Sequence, residues 1–99
     1  MITTVRTVQA MPGKIFDAIA WGKEIAAIVK RVTGHELTVS LSFGRNVAEV
    51  AWIGKVDNAS QIEENFAKLS ADKDYVNVLK KAEGLVVPES GRDHYWRTV

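Results

Sequence analysis

The 99-residue chain has no cysteine and only two prolines and two histidines. Without cysteine there can be no disulfide and no zinc–thiolate site, and a cytoplasmic location is the simpler expectation. No apolar run approaches the roughly 20 residues that span a bilayer, so no membrane partner is expected. The opening Met1-Ile2-Thr3-Thr4-Val5-Arg6 has no basic segment leading into an apolar one, so no signal peptide is expected. Nor does charge of one sign dominate: 13 basic and 12 acidic residues leave a net charge of +1. A nucleic-acid binder needs a basic stripe, and the nearest approach is Lys80-Lys81, so no nucleic-acid partner is expected. Phosphate loops, nucleophile elbows and dinucleotide fingerprints are absent, and no cofactor is expected.

What is present fits one domain over residues 1–99, with a modest core. A threonine- and valine-rich strand over residues 2–10 stops at Met11-Pro12-Gly13. A helix follows over 14–33. Asp17, Glu24 and Arg31 recur every seven residues on its solvated side, and Ile15, Ile19, Ile25, Ile28, Val29 and Val32 fill the other. Gly34 is placed to stop it. Asp57-Asn58-Ala59-Ser60 supplies capping residues for a second helical region, where Ser60 with Glu63 fits a capping box, and Ile62, Phe66 and Leu69 then recur at helical spacing. Asp72 caps a further segment carrying Tyr75, Val76, Leu79 and Ala82, which Gly84 ends. Leu85-Val86-Val87 is a short extended piece, and the last strand runs from Asp93 to Val99.

Between the helices lies a hairpin. From His35 to Phe43 the chain alternates, with Leu37, Val39, Leu41 and Phe43 on one side and Thr38, Ser40 and Ser42 on the other. After a turn at Gly44-Arg45-Asn46, Val47 to Val56 forms the next strand. A two-residue turn pairs Leu41 with Ala48, Val39 with Val50 and Leu37 with Trp52. Changing the loop by two residues preserves the facing, whereas a three-residue loop would bury Glu49 beside Leu41. Trp52 is therefore expected on the apolar face and Glu49 on the opposite one.

Strand, helix, hairpin, helix, strand is the ferredoxin-like βαββαβ arrangement, an α+β fold. It implies a four-stranded antiparallel sheet ordered 4-1-3-2 with both helices on one face. The second face then carries Thr38, Ser40, Ser42, Glu49, Ala51 and Ile53. Such a face can be wholly solvated, but Ile53, joined by Val8 or Val99 by parity, suggests that it is partly covered.

Arg6 upstream of Pro12-Gly13-Lys14, Trp21 in the first helix, Trp52 in the third strand and Asp72-x-x-Tyr75 give the chain a resemblance. It resembles the dimeric α+β barrel proteins, especially the NIPSNAP-like branch, with antibiotic-biosynthesis monooxygenase-like domains as relatives. The resemblance spans nearly the whole chain through short motifs. It implies two sheets facing each other in a homodimer, helices outside. Some proteins of this fold degrade haem, holding the iron with a histidine on the second helix. Residues 59–83 contain no histidine, so haem degradation is not expected.

Candidate site residues each have a plain structural reading. His35 and His94 are too few for a metal site and read as ordinary strand-end or surface histidines. On a strand His94 and Trp96 share one face and Tyr95 and Arg97 the other, and parity does not decide which turns inward. Arg6 and Glu49, on neighbouring central strands, could pair inside the dimer barrel if Arg6 shares the second face, either as an interface ion pair or with Arg6 positioning an anion. Trp21, Phe43, Trp52, Phe66 and Tyr75 are core by spacing, or line a small apolar ligand site. Two functional readings follow. One is a homodimer that binds a small apolar ligand or a protein partner, with Trp21, Trp52, Tyr75, Arg6 and Arg97 as contacts. The other is a cofactor-independent monooxygenase or isomerase acting on a small aromatic or polyketide-like molecule, with His94 or Tyr95 moving a proton. The first is favoured, since no acid/base pair is evident. An enclosed pocket reached by a histidine or tyrosine would favour the second.

Overall fold

The computed structural model describes residues 1–42 and 48–99. In chain order the elements are β1 (Ile2–Gln9), α1 (Ile15–Thr33), β2 (Thr38–Leu41), β3 (Glu49–Val56), α2 (Ala59–Ser70), α3 (Lys73–Lys80) and β4 (Arg92–Arg97). The sheet is antiparallel with order β2-β3-β1-β4, the ferredoxin-like order expected from the sequence. The expected turn at Gly44-Arg45-Asn46, with Phe43 and Val47 beside it, lies outside the described residues.

α1 runs for 19 residues because its apolar stripe stays in phase, burying Ala18, Trp21, Gly22, Ile25 and Val29. It ends at Gly34, whose φ of 75° closes the helix in the left-handed region at no steric cost. Glu24 and Arg31, expected on the solvated face, reach across to the third helical region: Lys81 Nζ donates to Glu24 at 3.0 Å, and Arg31 pairs with Asp72 and Asp74 at 3.1 and 3.2 Å. α2 starts within the expected capping segment, but not through the Ser60–Glu63 box. Its cap is Asn58, whose Oδ1 accepts from the Gln61 backbone N–H and the Ser60 hydroxyl, while Gln61 Oε1 accepts from the Asp57 N–H. Asn58-x-x-Gln61 competes with the Ser60–Glu63 pair and wins, taking Ser60 into the first turn. Asp72 caps α3 as expected, accepting from Tyr75 N–H at 3.0 Å.

The hairpin register is offset by two residues from the expected one: Val39 pairs with Trp52 and Leu41 with Val50. Side chains alternate with period two, so the offset leaves every facing unchanged. Trp52 and Val50 lie under the helices at 5% and 0% exposure, and Glu49 is on the other side. Because Arg6 stands opposite Trp52 and Val8 opposite Val50, both belong to the helix-facing side. Val8 is thus not on the second face; Val5, opposite Ile53, takes that place.

The two tryptophans are the centre of the core. Trp52 Nε1 donates to the Gly22 carbonyl at 2.9 Å and Trp21 Nε1 to the Val78 carbonyl at 2.8 Å. Their rings meet edge to face, centroids 5.6 Å apart at 82°. Each indole thereby hydrogen-bonds a helix backbone while burying its ring. A Cβ at Gly22 would lie 3.3 Å from both Trp52 and Val39, so the missing side chain is what lets α1 approach β3 this closely.

Candidate functional site: a cavity between sheet and helices

Behind this core a cavity of about 260 Å³ lies between the helix-facing side of the sheet and the three helices. Trp21, Ile25, Val29, Trp52, Val56, Asn65 and Leu69 form its buried wall, and the exposed Arg6, Phe66, Leu79, Asp93 and Tyr95 its rim. Tyr75 stands between them from α3, half-buried. Its lining, mainly apolar and aromatic with a few polar groups, is the kind that small-molecule sites have, and its volume falls just below their usual range of roughly 300–1,000 Å³.

The rim is electrically self-compensated. Arg6 and Asp93 face each other across β1 and β4 and form a bidentate pair, Nε to Oδ1 and Nη2 to Oδ2, both 2.7 Å. Asp93's carboxyl is held below its ordinary range chiefly by the hydrogen bond from Arg6, against an opposing effect of burial. The same bond, with lesser contributions from the nearby Tyr75 and Tyr95, raises the already high value of Arg6. The expected Arg6–Glu49 pair does not form. Glu49 is opposite Gln9, an odd number of positions from Arg6 along β1, and the pleat sends the two side chains to opposite faces.

The last strand is resolved the same way. Tyr95 and Asp93 share the face of Thr4 and Arg6 and line the cavity, whereas His94 and Trp96 stand opposite Val5 and Thr3 on the second face. His94 and Tyr95, the two proton-transfer candidates, are therefore on opposite sides of the sheet. Of the expected ligand contacts, Trp21, Trp52, Tyr75 and Arg6 come together in the cavity. Arg97 shares their face, opposite Ile2, but lies beyond the lining. Phe66 lines the rim, 68% exposed, rather than filling the core as its spacing suggests.

Two lining residues carry more than the sequence reading gave them. His35 is not an ordinary strand-end histidine: its Nε2 is buried and has no hydrogen-bond partner among the described residues. Burial pushes its value below the usual 6.5, favouring the neutral ring. The other is Asn65, 8% exposed, as buried as Leu69 on the same helix. A signal for it existed, because Asn65 sits three residues after Ile62 and four before Leu69, a polar residue inside the apolar stripe. His35 had no such signal, since its environment is made by β3. Among the described residues no three His, Asp or Glu side chains converge as a metal site requires. α2 and α3 bear no histidine, and the imidazole lining the cavity comes from the segment before β2.

Fold and cavity together define an α+β protein with a ferredoxin-like sheet and an apolar chamber under its helices. Solved structures of the same fold include NIPSNAP family proteins. A NIPSNAP family protein of unknown function from Agrobacterium tumefaciens superposes with a TM-score of 0.84 at 23% identity, covering 99% of this chain and 87% of that one. An uncharacterized NIPSNAP domain protein from Burkholderia xenovorans gives 0.85 at 15%, covering 100% and 95%. A Nitrosomonas europaea protein named for antibiotic biosynthesis monooxygenases gives 0.74 at 8%, covering 100% and 99%. The chain thus has the fold of the NIPSNAP-like and monooxygenase-like α+β proteins. No family model and no curated protein sequence matches it.

Proposed function

We propose that this protein is a homodimer that binds a small, largely apolar ligand in the cavity between its sheet and helices. The observation that carries the reading is the cavity itself, about 260 Å³ with two tryptophans in its wall and polar groups at few, defined points. The dimer is supported by the second sheet face, where Val5, Ala51 and Ile53 are half-buried and Trp96 is 65% exposed in the isolated chain. A second copy laid against that face would cover them and leave each cavity on the outer, helical side. Light scattering at micromolar concentration should give about twice the 10.9 kDa chain mass, and a clean monomer would overturn the dimer. NMR titration with small aromatic molecules should shift amides around Trp21, Trp52 and Tyr75, and unchanged spectra would overturn the ligand site.

A second reading, cofactor-independent oxygenation or isomerisation, is supported by one feature: tyrosines 75 and 95 and His35 reach the cavity. Proton transfer would then fall to Tyr95, beside the Arg6 guanidinium, and not to His94 on the far face. Turnover by the purified protein that survives chelation and is lost in Tyr95→Phe supports this reading, and turnover unchanged in Tyr95→Phe removes the tyrosine from it.

A further inference from the structure

The helix-facing side of the sheet changes character along one row. Trp52 on β3, Arg6 on β1 and Asp93 on β4 are neighbours across three strands, and all three line the cavity. Trp52 is 5% exposed, whereas the Arg6 and Asp93 side chains keep 58% and 36% of their surface. The lining therefore passes from indole to solvent-reached ion pair within two strand spacings, about 10 Å. Tyr95 from β4 and Tyr75 from α3 line the same end, both close enough to bear on the Arg6 charge.

The other polar groups of the lining offer a ligand little. His35 Nε2 is buried against Gly54, whose missing side chain makes the slot for the ring: a Cβ there would lie 2.5 Å from Nε2 and 3.0 Å from the Glu36 carbonyl. The Thr4 hydroxyl is turned to the Gly54 carbonyl, at 3.4 Å. Asn65 is 8% exposed. Arg6 is different. Asp93 accepts from its Nε and Nη2, and Nη1 has no acceptor among the described residues. Because the bidentate pair fixes the guanidinium plane, Nη1 is a donor held in place where the apolar wall ends.

The pair also sets the charge that Nη1 can hold. Arg6 and Asp93 sum to zero, and an anion at Nη1 would meet the field of the Asp93 carboxylate behind the guanidinium. It would give up its hydration for little net attraction. A neutral acceptor gives up far less and still gains a bond from a charged donor.

Resting on the proposed ligand site, we infer that the cavity takes a neutral, one-ended molecule, its apolar ring against Trp21 and Trp52 and a carbonyl-type oxygen at the mouth accepting from Arg6 Nη1. Tyr75 and Tyr95 border the carbonyl end. The reverse pose would push the carbonyl among indoles whose N–H groups are already bonded to Gly22 and Val78.

The test titrates acetophenone, its apolar counterpart cumene and the anion benzoate into the full chain by NMR. Acetophenone should move the Arg6 guanidinium resonances, and cumene should not. Intermolecular NOEs should join the acetophenone methyl to the Tyr75 or Tyr95 ring, and its para hydrogen to the Trp21 or Trp52 ring. Benzoate should bind more weakly than acetophenone. The double variant Arg6→Met, Asp93→Asn removes the pair without leaving a lone charge. It should bind acetophenone about five- to tenfold more weakly, the worth of one net hydrogen bond, while cumene binding holds. The wild-type measurements stand even if that variant fails to fold. Reversed NOEs, unmoved Arg6 resonances or acetophenone affinity unchanged in the double variant overturn the assignment and leave the ligand site intact. Tighter binding of benzoate overturns the neutral-ligand argument. If none of the three binds, the ligand site falls and this inference with it.

Discussion

Replacing Trp52 by alanine tests the centre of the architecture. The ring is 5% exposed, its Nε1 donates to Gly22 and its edge-to-face partner is Trp21. Removing a buried aromatic side chain costs about 3–5 kcal/mol through lost transfer energy and the cavity left behind. The value should fall toward the lower end, because the site already borders a chamber into which Trp21 can relax. Trp52→Phe keeps most of the buried area but loses the indole bond and part of the ring, so it should cost about 1–2 kcal/mol. Domains of this size hold about 5–15 kcal/mol in all, so the alanine variant would lose a large share. A urea titration followed by far-ultraviolet circular dichroism reads this without relying on tryptophan emission. The midpoint should fall at nearly constant slope. In thermal melts each kcal/mol corresponds to about 4–8 °C. A loss below about 1 kcal/mol in Trp52→Ala would mean that the indole does not organise this core.

Three further outcomes follow from the same geometry. His35 has a folded-state value below 6.5, so the unfolded chain binds more protons between the two values; stability should fall as pH drops through that window, and His35→Phe should flatten the slope in melts run from pH 7.5 to 5. A slope unchanged in the variant refutes buried neutral His35. Asp93, whose folded-state value is depressed, contributes stability above its unfolded value that is lost as pH falls through the folded one. With both partners more than a third exposed, Asp93→Asn should cost at most about 1 kcal/mol at pH 7, and the difference from wild type should vanish in strong acid; a gap persisting there would show that something other than the ion pair was lost. Gly54→Ala should destabilise and displace the imidazole, visible as a shift of the His35 ring resonances, because the new methyl meets both the ring and the Glu36 carbonyl; a well-folded variant with unmoved His35 resonances would refute the slot.

The sheet order, the two faces of the hairpin and the caps at Gly34 and Asp72 were legible in the sequence because they depend on local chemistry and on periods of two and 3.6. Facing survived the two-residue slip in register for the same reason: parity is local, whereas register depends on the hairpin as a whole. The start of α2 was harder, since Asn58 and Ser60 can both cap and only the helix's docking chooses between them. What the sequence by itself determined is therefore the α+β frame and the residues able to face its core. Only the tertiary structure decided that Arg6 meets Asp93 instead of Glu49, that Tyr95 faces the cavity and His94 the far side, and that His35 lies buried against Gly54. Each of these joins residues from different strands or loops. Cross-strand pairing and the space left by an absent side chain are properties of neighbours distant in sequence, and no window along the chain contains both partners.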